Sequence, residues 1–370
     1  MNKSKISPEL LSDVSVLNIK NKTVFISCNN FDETKTFLTR HNYKFTTYRF
    51  ANCISLTADY DDLNILSNLN STRYIHTNKV VQTEIAENDF MNLSNLTQNK
   101  FFGQGETICF IDTGIHPHLD FIFPKCRILK FVDLINHKIF PYDDNGHGTF
   151  VTGIACGNGL FGISRQGIAP YANIVSIKAL DKSGSSTSNT ILDAMQWVYE
   201  NHKVYNISVV CMSFGADTLN NFDPLSCGAE ALWKIGISVV SAAGNSGPKN
   251  ASIKSPGSNP KIITVGAFDL NEMNVAEFSS RGPTNFGSKP DLLAPGTNLI
   301  SCSKIPYPYS QMSGTSVATP IVAGICAIIK SRYPKIKNNE IKKFLQDNCT
   351  KISHNENLEG SGYIDFKNLI

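Results

Sequence analysis

Four short stretches of this chain each set one reactive side chain in a glycine-rich turn: Asp112 in "TICFIDTG", His147 in "DDNGHGTFVTG", Asn245 in "SVVSAAGNSGP" and Ser316 in "SQMSGTSVATP". A carboxylate, an imidazole and a hydroxyl are the parts of an activated nucleophile, in which the acid orients the base and the base takes the proton of the attacking oxygen. An amide donor beside them would steady the oxyanion that forms when that oxygen adds to a carbonyl. Taken singly, each residue has a quieter reading. Asp112 can accept turn N–H groups, Asn245 suits a turn because asparagine tolerates the left-handed region, and Ser316 can cap the apolar helix pattern that follows it. All four at strand ends or helix starts of one sheet point to a single site, with Asp112 as orienting acid, His147 as base, Ser316 as nucleophile and Asn245 as oxyanion donor.

The elements that would position them follow from the hydrophobic pattern. From residue 106 to residue 370, near-continuous apolar strands such as "NIVSIKAL", "NISVVCMSFG" and "KIITVGAF" alternate with helix patterns such as "NTILDAMQWVYENH" and "CGAEALWKIG". That is the signature of an α/β unit, a parallel sheet flanked by helices, whose ligand chemistry gathers at the carboxyl ends of the strands. Residues 1–84 read as a separate β-α-β-β-α-β unit of ferredoxin-like α+β type, with "TRYIHTNKVV" as its closing strand. Residues 85–105 lack periodicity and read as a linker.

Composition narrows the function classes. The 370 residues are 41% apolar and 18% charged with a net charge of +3, too little to imply a nucleic-acid or anionic-membrane partner. No apolar run approaches a transmembrane span, and the opening "MNKSKISPELLSDVSVLNIK" has no secretory core, so the chain reads as soluble and cytoplasmic. Ten cysteines are scattered singly, mostly inside apolar runs, which suits reduced buried thiols in a reducing compartment. The pair His116 and His118 in "HPH" is too sparse for a zinc site.

In order and spacing, "IDTGI", "NGHGTFVTG", "MSFG", "AAGNSGP", "FSSRGP", "KPDLLAPG" and "GTSVATPIVAG" resemble the subtilases, the subtilisin-like serine proteases, from about residue 103 to the end. "FPYDDNGHGT", "SSRGPT" and the opening make the chain most like the intracellular bacterial branch. The resemblance implies a serine endopeptidase acting on polypeptides through an acyl-enzyme on Ser316. It also implies that Ser213, Phe214 and Gly215 form an edge strand pairing with extended substrate, and that Ala242, Ala243 and Gly244 wall the primary pocket. Phe214 stands where the family often has leucine, and Phe150 replaces a second histidine. The N-terminal unit resembles an inhibitory prodomain, a zymogen segment whose last strand occupies the cleft, with self-cleavage near Glu84 or, alternatively, Glu87. Lys254 aligns with the bottom of the primary pocket and implies a preference for an acidic residue before the cut. The family commonly binds calcium in the loop matching "CGNGLFGISRQGIAP", but this loop offers Asn, Ser, Gln and backbone carbonyls and no Asp or Glu, so calcium is left open without being assigned, and no other metal or cofactor is expected.

Two other functions compete. A prodomain-locked pseudo-protease would use the cleft only as a scaffold or binding surface, and has no need to keep all four site residues. An esterase of another α/β type would carry a G-x-S-x-G elbow, which "SGTSV" is not.

Overall fold

The central strands of the N-terminal unit are buried along nearly their whole length rather than on alternate residues, so its sheet has two covered faces. In a computed structural model that describes residues 1–15, 21–83, 102–162, 165–218, 223–304 and 308–364, the elements run α1 (Pro8–Ser15), β1 (Lys22–Cys28), α2 (Phe31–Arg40), β2 (Phe45–Tyr48), β3 (Cys53–Ala58), α3 (Tyr60–Asn68) and β4 (Thr72–Thr77). The four strands are antiparallel in the order β2-β3-β1-β4. Helix α3 starts on a reciprocal cap, the Asp59 carboxylate accepting from Asp62 N and the Asp62 carboxylate from Asp59 N, both at 3.0 Å. Val24, Ile26, Ile54 and Ile75 pack with Leu38, Leu63 and Leu66 into a core of their own. Phe25, Tyr48 and Cys53 instead join the core of the larger unit, so the sheet is sealed on both sides.

The closing strand differs from expectation. "TRYIHTNKVV" is two strands: β4 ends at Thr77, and β5 (Val80–Thr83) leaves for another sheet. The break comes at Lys79, whose backbone bonds go to Ser188, with Ser188 N donating to Lys79 O at 3.0 Å and Lys79 N donating to Ser188 Oγ at 3.2 Å. Satisfying those groups on the larger unit turns the chain out of the small sheet.

The larger unit continues with β6 (Thr107–Asp112), α4 (Leu119–Ile122), β7 (Ile128–Asp133), α5 (His147–Cys156), β8 (Asn173–Lys178), β9 (Ser185–Thr187) and α6 (Ser188–Asn201). After these come β10 (Ile207–Met212), β11 (Phe214–Gly215), α7 (Pro224–Lys234), β12 (Ser238–Ala242), β13 (Ile263–Asp269), β14 (Asn274–Val275), β15 (Leu292–Pro295) and α8 (Thr315–Arg332). Seven of the strands form a parallel array, β7-β8-β6-β10-β12-β13-β15. Every residue of β6 and of β12 is buried, so these strands carry apolar or small side chains on both faces, apart from Asp112 at the end of β6, rather than alternating with exposed polar ones. Helix α8 packs across β10, β12, β13 and β15 and against α5, while α6 and α7 pack against each other. From β6 the chain goes to the edge strand β7, returns to β8 between the two, and then crosses to β10 and β12 on the other side of β6. The crevice at the carboxyl ends of β6 and β10 is therefore the switch point where such sheets bind ligands. Among the described residues, no helix is long and apolar enough to cross a membrane.

Candidate active site

Asp112 ends β6, and its buried Oδ1 bonds to His147 Nδ1 at 2.7 Å and accepts from Thr113 N at 2.7 Å. Because the carboxylate can only accept, Nδ1 carries the ring proton and Nε2 is left with its lone pair, the state a general base needs. Nε2 is buried and has no hydrogen-bond partner among the described residues.

His147 opens α5, and a second carboxylate, Asp143, fixes that opening. It accepts from Thr113 Oγ1 at 2.9 Å, Gly146 N at 2.7 Å, Thr149 N at 2.9 Å and Thr149 Oγ1 at 2.6 Å, while Thr113 Oγ1 accepts from Gly148 N at 2.9 Å. The turn after Asp112 and the start of α5 are thereby one hydrogen-bonded body. Gly148 permits the approach, since a Cβ there would lie 2.2 Å from Gly114 O. Lys178, at the end of β8 and fully buried, donates to Thr113 O at 2.7 Å, Asp144 Oδ1 at 2.6 Å and Leu180 O at 3.0 Å. Neither Asp143 nor Lys178 was singled out from sequence. The doubled aspartate in "DDNGHG" and the lysine inside the apolar run "NIVSIKAL" were the available signals.

Ser316 lies buried in the first turn of α8, the positive end of the helix dipole, after Gly314. Its carbonyl accepts from Ser213 Oγ at 2.9 Å, tying the helix start to the segment that enters β11. Asn245 follows β12, and its Oδ1 accepts from both Thr315 N at 3.0 Å and Thr315 Oγ1 at 2.9 Å. With the amide oxygen held by Thr315, the NH2 is the end directed away from it. The structure thus joins Asp112 directly to His147 and Asn245 to the residue before Ser316, on two helices that pack against one another.

Of the three residues expected in an edge strand, Phe214 and Gly215 form β11 while Ser213 lies outside it, its hydroxyl donating to Ser316 O, and β11 pairs with a segment of the N-terminal unit. β11 takes Thr83 opposite Phe214 and Gln82 opposite Gly215, and on its other side β5 takes β9, with Val80, Val81 and Gln82 opposite Thr187, Ser186 and Ser185. β5 is therefore the middle strand of a three-stranded antiparallel sheet whose outer strands belong to the larger unit. Glu84 and Glu87 lie outside the described residues. Ala242, Ala243 and Gly244 are buried, with Ala243 O accepting from Lys254 N and Gly244 O from Ser280 N, each at 2.8 Å. The Lys254 stem lies over Gly244, where a Cβ would meet Lys254 Cγ at 2.4 Å. Its ammonium, on a side chain 21% exposed, pairs at 2.6 Å with Asp217, a side chain 83% exposed. That hydrogen bond is the main cause holding the Asp217 carboxyl below its usual range.

A second polar cluster brings His118, Asp120 and Cys302 within 4.8 Å of one another. Asp120 accepts from Gly159 N at 3.1 Å and from the Tyr309 hydroxyl at 3.0 Å, and Asp120 N donates to His118 Nδ1 at 3.1 Å. The loop "CGNGLFGISRQGIAP", without a carboxylate of its own, is thus fastened by one from outside it. Sequence reading missed Asp120 because the groups that donate to its carboxylate are about forty positions and more away.

Comparison with known proteins agrees with this architecture. Residues 103–363 match the profile described as the Subtilase family. The serine protease AprX of Bacillus subtilis (strain 168) is 37% identical over 352 residues, covering 86% of this chain and 79% of that protein. The thermostable alkaline protease of Halalkalibacterium halodurans is 32% identical over 276 residues, 74% of this chain and 70% of its own length. Subtilisin Savinase of Lederbergia lenta is 33% identical over 267 residues, 71% of this chain and 90% of that protein.

Proposed function

Since this chain belongs to the subtilase family and is a subtilisin-like serine protease, we propose that it is made as a self-processing zymogen in which residues 1–84 are an inhibitory prodomain. The observation that carries this reading is β5, an extended segment of the N-terminal unit bonded on both edges between β11 and β9. A chain in that position lies as a substrate would lie, recognised through its backbone.

In the reaction we propose, Ser316 Oγ attacks a peptide carbonyl while His147 Nε2 takes its proton, and Asp112 holds the ring and stabilises the imidazolium. The Asn245 amide and the Ser316 N–H hold the oxyanion, the imidazolium protonates the leaving amine, and water then releases the acyl group. This chemistry needs no cofactor. The 2.7 Å bond between Asp112 and His147 supports the assignment, as does the grip of Thr315 on the Asn245 oxygen.

Cleavage after Glu84 belongs to the same reading, as does an acidic preference through Lys254. The lysine stem against Gly244 supports a place beside the pocket wall, and Asp217 competes for the ammonium, so the preference is modest. N-terminal sequencing of the mature chain and mapping of product termini on a peptide library test both. Ten free thiols favour a reducing compartment, and we assign the protein to the cytoplasm on that ground. Fluorophosphonate labelling tests the whole. The wild type is labelled and processed, whereas Ser316→Ala is neither labelled nor processed and hydrolyses no peptide. Normal processing of isolated Ser316→Ala contradicts the proposal, and a wild-type cleft that stays silent once the N-terminal unit is removed makes it a scaffold instead.

A further inference from the structure

Lys79, the residue before β5, makes its hydrogen bonds to the larger unit, while Glu9 of the N-terminal unit adds a second negative charge near its ammonium. Its backbone exchanges hydrogen bonds with Ser188, and its ammonium donates to Asp217 O and stands 4.0 Å from Asp223 Oδ2. The two side chains of that pair are only 13% and 4% exposed. Asp223 Oδ1 is committed to the start of α7, accepting from Leu225 N at 2.9 Å and Ser226 N at 3.5 Å. Oδ2 is buried with no hydrogen-bond partner among the described residues. A buried carboxylate with one oxygen uncommitted is costly unless a cation meets it.

Because β5 lies as substrate would, an inference resting on the zymogen reading above, we propose that Asp223, with Asp217 O and Ser188, forms a subsite that selects a lysine or arginine in the substrate. The selected residue is the one in the place of Lys79, four positions before the residue that pairs with Phe214. The subsite belongs to the catalytic unit, so it remains when the N-terminal unit departs. Any chain lying between β11 and β9 in the same register passes one side chain over it. Burial pushes the Asp223 carboxyl up; the Lys79 ammonium is the largest influence pulling it back, ahead of the Ser255 hydroxyl and the N–H groups of Leu225 and Ser226, so the free subsite gains from an incoming cation. An acidic side chain there meets a second negative charge out of water.

The test uses the full-length chain after it has processed itself, with the peptide Lys-Val-Val-Gln-Thr-Glu-Ile-Ala and versions in which the first lysine is alanine, glutamate or norleucine. Alanine and norleucine lower kcat/KM about five- to tenfold and glutamate lowers it further. Norleucine keeps the stem without the charge, so a norleucine peptide cleaved as well as lysine overturns the subsite. Asp223→Asn retains a cap acceptor for α7 and brings the lysine-to-alanine ratio near one. That ratio is measured within one preparation and does not depend on how much variant is active. Equal cleavage of the lysine and alanine peptides by the wild type overturns the inference and leaves the protease reading standing. Absence of all hydrolysis and processing overturns that reading and the inference with it.

Discussion

Asn245 is gripped by its oxygen, and this fixes what its nitrogen can do. Thr315 donates to Oδ1 from both backbone and hydroxyl, so a flipped amide would set NH2 against two donors. In the reaction proposed above, the NH2 is preorganised for a negative oxygen that exists only after attack. Asn245→Ala is therefore expected to lower kcat roughly 100- to 1,000-fold with little change in KM. Steady-state kinetics on one peptide check this, and a loss confined to KM would mean that the amide binds ground-state substrate instead. The four reactive residues were legible in sequence because each sits in a Gly-rich turn beside an apolar run, Asp112 and Asn245 after one and His147 and Ser316 before one. Lys178 and Asp143 were not. Their roles come from partners such as Thr113, some thirty to sixty-five positions away, and nothing local marks a buried lysine as a brace rather than a strand's polar end.

At the scale of elements, the catalytic geometry depends on how near α5 comes to the turn after β6. Gly148 sets that distance, since a methyl group there meets Gly114 O, a backbone atom that cannot swing aside. Gly148→Ala should destabilise the protein by about 1–3 kcal/mol and lower kcat by separating His147 from Asp112. Thermal unfolding and peptide hydrolysis measure the two effects, and wild-type values for both would show that the contact relaxes. In the N-terminal unit, β4 buries His76 beside Ser27 Oγ at 3.4 Å and the Tyr74 ring at 4.8 Å. Burial first, and the Lys79 charge second, lower its pKa from 6.5 to about 3. The unfolded chain takes up this proton near pH 6.5 and the folded chain only near 3, so stability present above pH 6.5 is lost as the pH falls through that window. In a Ser316→Ala background, the unfolding temperature should fall between pH 7 and 4.5, and His76→Gln should reduce that fall. Identical slopes would exclude His76 as the cause. The split of "TRYIHTNKVV" into β4 and β5 was illegible for a related reason. Both halves have strand residues, and only the presence of Ser188 decides where the first ends.

The whole molecule is two units closed over one another, with Phe25, Tyr48 and Cys53 of the small sheet inside the core of the large unit and β5 inside its cleft. Two contact regions should hold better than one. Residues 1–84 added in trans are expected to inhibit the mature enzyme with a Ki well below that of a peptide spanning residues 79–84, and equal Ki values would show that only the strand matters. The parallel sheet was legible because its strands are buried on both faces and read as apolar runs. The docking of the units was not, since Thr83 finds Phe214 across more than a hundred residues. The middle position of β5 has a further consequence. A visitor taking its place must offer free N–H and C=O groups on both edges of a run as long as Val80–Thr83, whereas a helix or an interior strand has already used those groups within its own fold. If substrate takes the place of β5 as proposed above, the cleft reads the conformational state of its victim before it reads side chains. A compact protein is cut only as often as some such stretch comes loose, so the rate of its destruction is set by the free energy of that local opening.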